Sequence, residues 1–286
     1  MKKLRQIITQ IKTDTTISPV EFNELLWQLI CYSPKMPVRL QQQQLLDSAE
    51  KFSLTVKDEY FEKKDLIFNG FKWGNGTHKV LITHGWGSKA ADFAEIITAL
   101  RDINDLEIIA FDAPGNGSSE GELSNLLLFV QAIKAIVDAY GNPGIFIGHS
   151  LGAMANVIAL KEMAISPSLL ISLAPLIRLK ENFEYSMNMV DIPQIAQDTF
   201  LKSFENKFGK PASYYNLKDW YPFDEQPKHW LTYDQNDPIS PYKYLEEFLN
   251  VYPSVISQNY ADTGHERIIK STQIINDLVD EVRMSI

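Results

Sequence analysis

GIFIGHSLGAMA, residues 144–155, is an apolar run that stops at Gly148-His149-Ser150-Leu151-Gly152 and continues at once as a small-residue helical pattern. Five residues of the form G-x-S-x-G carry little weight alone; a strand before them and a helix after them supply the mechanical reason for the pattern. A chain that turns this sharply from strand to helix forces Ser150 into a strained backbone conformation. It also brings neighbouring backbone so close that a side chain at 148 or 152 would collide. The same turn lifts the serine hydroxyl out of the sheet and sets the following N–H groups at a helix N-terminus, where they can meet developing negative charge.

The surrounding sequence has the rhythm this reading needs. Short apolar runs recur at KVLITH (79–84), EIIAFDA (107–113), IFIGHS (145–150), LLISLA (169–174), HWLTYD (229–234) and SVISQNYA (254–261), of the kind buried on both faces of a sheet. Helical patterns lie between most of them, at 89–102, 123–140, 151–165 and 241–252, and a last amphipathic helix is expected over 266–285. LTVKDEYF (54–61) and DLIFNGFKW (65–73) read as an opening antiparallel pair. The expectation is a doubly wound, mostly parallel α/β sheet.

Two segments stand outside that alternation. Residues 1–53 read as a helical extension, with Ser18, Pro19 and Glu21 as the capping signals of one helix and a second expected over 38–52. Residues 176–228 contain ten aromatics and no obvious strand. There Asp191 is expected to cap a helix that carries Phe200, Phe204 and Phe208 on one face and stops at Gly209 and Pro211. Such an excursion above the strand ends anchors itself on the main domain and can also roof an apolar pocket. The core is then divided into 54–175 and 229–286.

A serine hydroxyl needs an oriented base. The chain has five histidines. His149 adjoins the serine and is expected on the opposite side of the turn, while His78 and His229 begin strands at the far end of the sheet. His265, in YADTGHERII, follows the last strand on the edge where Ser150 lies, and is the best base. The acid is sought after the preceding strand, where Asp237 in NDPISP is favoured over Asp234, which is still close to the strand. The order Ser…Asp…His is neither that of the chymotrypsin nor that of the subtilisin type. The N–H of Leu151 can serve one half of an oxyanion hole. In LITHGWG, Gly85 lets the backbone fold close to the serine so that the N–H of Trp86 can serve the other half.

These residues together resemble the α/β-hydrolase superfamily over roughly residues 54–286. The likeness rests on His84-Gly85 after one strand, FDAPGNGSSEG (111–121) after the next, GHSLG (148–152), NDPISP (236–241) and GHERI (264–268). It implies the α/β-hydrolase fold, a Ser150–His265–Asp237 triad, backbone N–H groups of Trp86 and Leu151 as the oxyanion hole, and a lid at 176–228. It also implies that DAPGNGSS shapes the site without doing chemistry. A serine at 150 disfavours the dehalogenases and epoxide hydrolases of this fold, which use aspartate there. The expected activity is hydrolysis of a carboxylic ester or thioester, with acyl transfer, peptidase action, C–C cleavage and a non-catalytic binding role as alternatives on the same fold.

The bulk numbers narrow the partners. A net charge of −9 without a dense basic run argues against nucleic acid, and no stretch approaches a membrane span. The single cysteine, Cys31, is expected as a buried small hydrophobe, and a cytoplasmic setting follows from that cysteine usage and the lack of a signal-peptide pattern. No metal or organic cofactor is implied. A small-molecule substrate is expected, with Trp86, Phe183, Tyr185, Phe204 and Tyr214 as candidate pocket-lining residues. The helical extension has three available roles: buttressing the sheet, covering the pocket, or self-association into a homo-oligomer.

Overall fold

The apolar runs become the strands of one eight-stranded sheet in a computed structural model that describes residues 2–14, 16–223 and 225–286. They are β1 (Glu50–Asp58), β2 (Lys64–Trp73), β3 (His78–Thr83), β4 (Leu106–Phe111), β5 (Ile145–His149), β6 (Leu169–Leu173), β7 (Lys228–Tyr233) and β8 (Ile256–Asn259). Their order across the sheet is β1-β2-β4-β3-β5-β6-β7-β8. The β1–β2 and β2–β4 pairings are antiparallel and the remaining five are parallel.

Alternation along the central strands sends side chains into two cores. Leu81, Ile109, Phe146 and Leu170 point to one face, and Val80, Ile108, Ile147 and Ile171 to the other. The helices are α1 (Lys2–Thr13), α2 (Pro19–Cys31), α3 (Leu40–Asp47), α4 (Ala94–Leu100), α5 (Leu126–Tyr140), α6 (Leu151–Met163), α7 (Leu179–Asn188), α8 (Gln194–Phe208), α9 (Leu217–Trp220), α10 (Tyr242–Val251), α11 (Gly264–Arg267) and α12 (Thr272–Arg283). The first core takes apolar residues from α2, α5, α6, α7, α8 and α10, and the second from α3, α4 and α12. Covering both faces is what a parallel sheet of continuously apolar strands requires.

Several elements differ from the sequence-based expectation. The helix expected over 38–52 ends at Asp47, and Glu50–Phe52 instead open β1 opposite Gly70–Lys72. The ring of Phe52 lies across Gly70, where no Cβ would fit, so strand pairing and this packing override local helix propensity. Ser271, in extended backbone, breaks the expected 266–285 helix. The break lets Ile268 and Ile269 on one side, and Ile274, Leu278 and Val282 on the other, reach the same core. β8 is not a doubly buried strand but an exposed edge.

The two segments outside the α/β rhythm pack on each other. Ser18 and Glu21 form the expected capping box of α2. Trp27 of α2 meets Phe200, Phe204 and Phe208 of α8 at ring-centroid distances of 4.8, 6.1 and 5.9 Å. Gly209 ends α8 in the left-handed conformation. Asp191 does not cap it: the residue has φ 61°, its carboxylate pairs with Lys12 at 3.0 Å, and Pro193 occupies the cap position.

Candidate active site

β5 ends at His149 and α6 begins at Leu151, so Ser150 alone makes the turn, with φ 52° and ψ −119°. A non-glycine residue in this region is strained, and the surroundings must hold it there. A Cβ at Gly148 would lie 2.5 Å from the Ala153 Cα, and one at Gly152 would lie 2.3 Å from the His84 carbonyl oxygen. The two glycines thus let α6 start hard against β5 and against the turn after β3. Gly85 makes the third close approach: its Cβ would sit 3.1 Å from that of Ser150.

Three loops at the C-terminal ends of strands then converge. The Ser150 Oγ is 2.8 Å from His265 Nε2, and His265 Nδ1 is 2.6 Å from Asp237 Oδ2. An ionised carboxylate only accepts, so Nδ1 carries the proton and Nε2 presents its lone pair to the serine hydroxyl. Burial works against the charge on Asp237. The hydrogen bond from His265, its positive charge when protonated, and the backbone N–H groups of Ile239 and Ser240 outweigh that and hold the carboxyl below its usual range. Asp234 stands outside this relay. It accepts from the N–H groups of Asn236 and Gly264, tying its own loop to the one that carries His265.

Three other histidines tie strands and loops together. The His84 ring donates to the Gly85 carbonyl and accepts from the Ala113 N–H, joining the turn after β3 to the loop after β4. In that loop Asp112 accepts from the N–H groups of Ala90 and Ser118 and from the Ser118 hydroxyl. His229 bridges Ser172 and Tyr221 deep in the sheet. His149 is where expectation fails. Its ring does not turn away from the site but lies 4.9 Å from that of His265, with Nε2 2.9 Å from the His265 carbonyl oxygen. Burial, and then the neighbouring His265, push its pKa down to about 3.

A model of the alpha/beta hydrolase family matches residues 80–268, from β3 through His265. The chain belongs to this family. A protein of Mycoplasma genitalium, named provisionally as esterase/lipase 2, is 26% identical over 239 residues, covering 78% of this chain and 81% of its own. The monoglyceride lipase of Rattus norvegicus is 32% identical over 113 residues, which cover 36% of this chain and 37% of the lipase. Among solved structures, an esterase of Pyrococcus furiosus superposes with a TM-score of 0.61 at 18% identity, covering 89% of this chain and 96% of that one. This last likeness is one of fold.

In this α/β hydrolase a cavity of about 660 Å³ opens over Ser150 and His265. Trp86 and Leu151 line it beside the serine, as do Phe183, Tyr185 and Phe204 from the 176–228 segment. Tyr214 does not. It is 42% exposed, packed edge-on against Trp220 and Tyr215, and its neighbour Tyr215 reaches the cavity in its place. A short 3-10 turn at Ala212–Tyr214 decides which of the two tyrosines faces inward.

Sequence reasoning left open whether the N-terminal extension covers the pocket and assigned none of its residues to this wall, to which it contributes among others Leu29, Ile30, Met36, Arg39 and Gln42. Leu25, Leu26, Leu29 and Ile30 form an apolar stripe that hinted at the α2 part of it, and a stripe does not say what it covers. Cys31 is buried as expected but also lines the cavity, and burial pushes its thiol pKa up. Among the described residues, no group of three or more His, Cys, Asp or Glu side chains could hold a metal ion, and no helix is long and apolar enough to cross a membrane.

Proposed function

We propose that this α/β hydrolase is a serine hydrolase that cleaves a carboxylic ester or thioester of a small to medium, apolar acyl group through an acyl-enzyme on Ser150. The observation that carries this reading is the continuous relay from Ser150 Oγ to His265 Nε2, 2.8 Å, and from His265 Nδ1 to Asp237 Oδ2, 2.6 Å. Ser150 Oγ attacks the acyl carbon while its proton passes to His265 Nε2. The carbonyl oxygen, now negative, takes hydrogen bonds from the backbone N–H groups of Leu151 and Trp86. The bond to the leaving oxygen or sulfur breaks as His265 returns the proton to it. Water then attacks the acyl-enzyme, His265 takes its proton, the carboxylic acid departs and Ser150 regains its hydrogen. Asp237 keeps the imidazole in the required tautomer throughout.

In this reading residues 54–175 and 229–286 form the catalytic core, 176–228 is the lid, and 1–53 completes the acyl pocket rather than standing apart from it. The aromatic wall from Phe183, Phe204 and Tyr215 supports an apolar acyl group. The names of the relatives, an esterase/lipase and a monoglyceride lipase, point to the same bond. A lone, buried cysteine is compatible with a reducing compartment such as the cytoplasm.

A fluorophosphonate probe tests the proposal directly. Wild type should label rapidly and hydrolyse a series of p-nitrophenyl esters, and Ser150→Ala should do neither while keeping its fold. Absence of labelling under conditions that label a control esterase would overturn the reading in favour of a binding protein on this fold.

A further inference from the structure

The cavity has two chemically different ends. On one side of Ser150 its wall is drawn from the core that contains α2, α5 and the 176–228 helices, with Ile30, Leu126, Leu179, Phe204, Phe208 and Tyr215 as its substance. Polar groups there, such as Asn182 and Ser186, carry no charge. Histidines aside, every charged residue on the wall among the described ones comes from three short segments on the other side: Arg39 at the start of α3, Lys89 and Asp92 after β3, and Glu266 and Lys270 after His265. Their apolar neighbours, Leu45, Ala90, Phe93, Ile268 and Ile269, belong to the second core. The division follows from the sheet itself, whose two faces are packed by different helices and meet at the cavity.

The charged end is not neutral. Asp92 is fully engaged: Lys89 Nζ lies at 3.1 Å, Gln42 Nε2 at 3.1 Å and the Ser88 hydroxyl at 2.9 Å from its two oxygens. Lys89 is buried and matched by that carboxylate. Glu266 is then the only acid left at this end to face Arg39 and Lys270, and neither cation has an ion-pair partner among the described residues. Arg39 and Lys270 are exposed on the cavity lining, where they are open to an anionic group of a bound substrate.

Chain direction says which part of the substrate would meet it. His265 must reach the leaving atom to return its proton, and Glu266 and Lys270 follow His265 directly on α11 and the turn after it. We infer that the substrate is an amphiphilic acyl ester or thioester whose acyl chain fills the aromatic end and whose leaving group carries a phosphate held by Arg39 and Lys270. This deepens the serine-hydrolase reading and rests on it. The guanidinium suits a phosphate by its paired donors, and the ammonium by its compact charge. Lys89 and Asp92 line the same cavity, and Gln42 ties the N-terminal segment to Asp92.

The test uses the purified full chain and four octanoyl substrates: the p-nitrophenyl ester, the glycerol ester, the glycerol phosphate ester and the coenzyme A thioester. The glycerol phosphate ester should exceed the glycerol ester in kcat/KM by about tenfold at low salt, and the advantage should shrink as salt is raised. Lys270→Glu and Arg39→Glu should each lower that ratio at least fivefold, with unchanged thermal midpoints. A preference for the coenzyme A thioester over the glycerol phosphate ester that is lost in the same variants also supports the phosphate site and identifies its source. Equal rates on glycerol and glycerol phosphate esters with a slow thioester, or ratios indifferent to both charge reversals, overturn the inference while leaving the hydrolase standing. No turnover of even the p-nitrophenyl ester, with no labelling of Ser150, removes the underlying reading and the inference with it.

Discussion

His149 Nε2 lies 2.9 Å from the backbone carbonyl oxygen of His265, so the residue before the strained serine holds the loop that carries its partner. A carbonyl only accepts, and the neutral ring, with its pKa near 3, must therefore donate from Nε2. Serine turn and histidine loop are thereby fastened at two points, one through the reacting atoms and one behind them. His149→Ala should lower kcat roughly tenfold to a hundredfold with KM little changed, because small misplacements of an oriented group are costly. His149→Gln, which keeps an N–H donor, should recover part of the loss. A rise in KM at constant kcat would show that the side chain serves substrate binding instead.

Two aspartates three residues apart should separate cleanly. Asp237 accepts from His265 Nδ1, whereas Asp234 accepts from the N–H of Gly264 beside it. Asp237→Asn should reduce kcat by about four orders of magnitude through loss of the imidazole tautomer. Asp234→Asn should cost far less in rate and more in thermal stability. Steady-state kinetics paired with melting curves checks both, and the reverse pattern would exchange the two roles.

Gly152→Ala tests the turn itself. The added Cβ would stand 2.3 Å from the His84 carbonyl oxygen and 2.5 Å from that of Thr83, backbone atoms that cannot swing aside. A loss of about 1–3 kcal/mol in urea unfolding is expected from the overpacking. Fluorophosphonate labelling should slow in the same variant, because α6 is pushed off the turn that faces the serine.

Acid should weaken the fold between pH 6.5 and about 3. His149 and His229 are both depressed to about 3 in the folded chain, in each case first by burial, while unfolded histidine titrates near 6.5. In that window the unfolded chain binds more protons, so stability rises with pH and is lost as pH falls below 6.5. Each ring should contribute a loss of about 1 kcal/mol between pH 7 and 5.5. Urea unfolding across this range measures the slope, and His229→Gln should flatten it. A slope identical in wild type and variant would show that His229 is not the protonation-linked group.

Acyl preference should depend on the N-terminal extension. Leu29 of α2 lines the cavity, and Leu29→Trp should move the preferred p-nitrophenyl ester to shorter chains. Tyr214→Ala should leave the chain-length profile unchanged within twofold, since the residue stands outside the cavity wall. Movement of the profile by Tyr214→Ala instead would place the pocket elsewhere.

What the amino-acid sequence determined by itself was everything that short-range physics controls. The apolar runs state strands of a doubly covered sheet, and Ser18 and Glu21 state a helix start. Gly148 and Gly152 flanking Ser150 state a turn that only hydrogen side chains permit. The order of Ser150, Asp237 and His265 was also legible, because each lies after a strand whose direction the alternation sets. What only the tertiary structure decided was which surfaces meet across long chain separations. Phe52 entered a strand because Gly70 lay beneath its ring, and Tyr215 rather than Tyr214 faced inward because of a one-turn change in the chain path. His149 turned toward His265, and α2 joined Phe204 of α8, well over a hundred residues away in the chain, in one wall of the cavity. Local periodicity shows that a face is apolar or that a turn is tight. Its partner is chosen by the burial available once all the elements compete for the same core, and that competition is written in no single stretch of the chain.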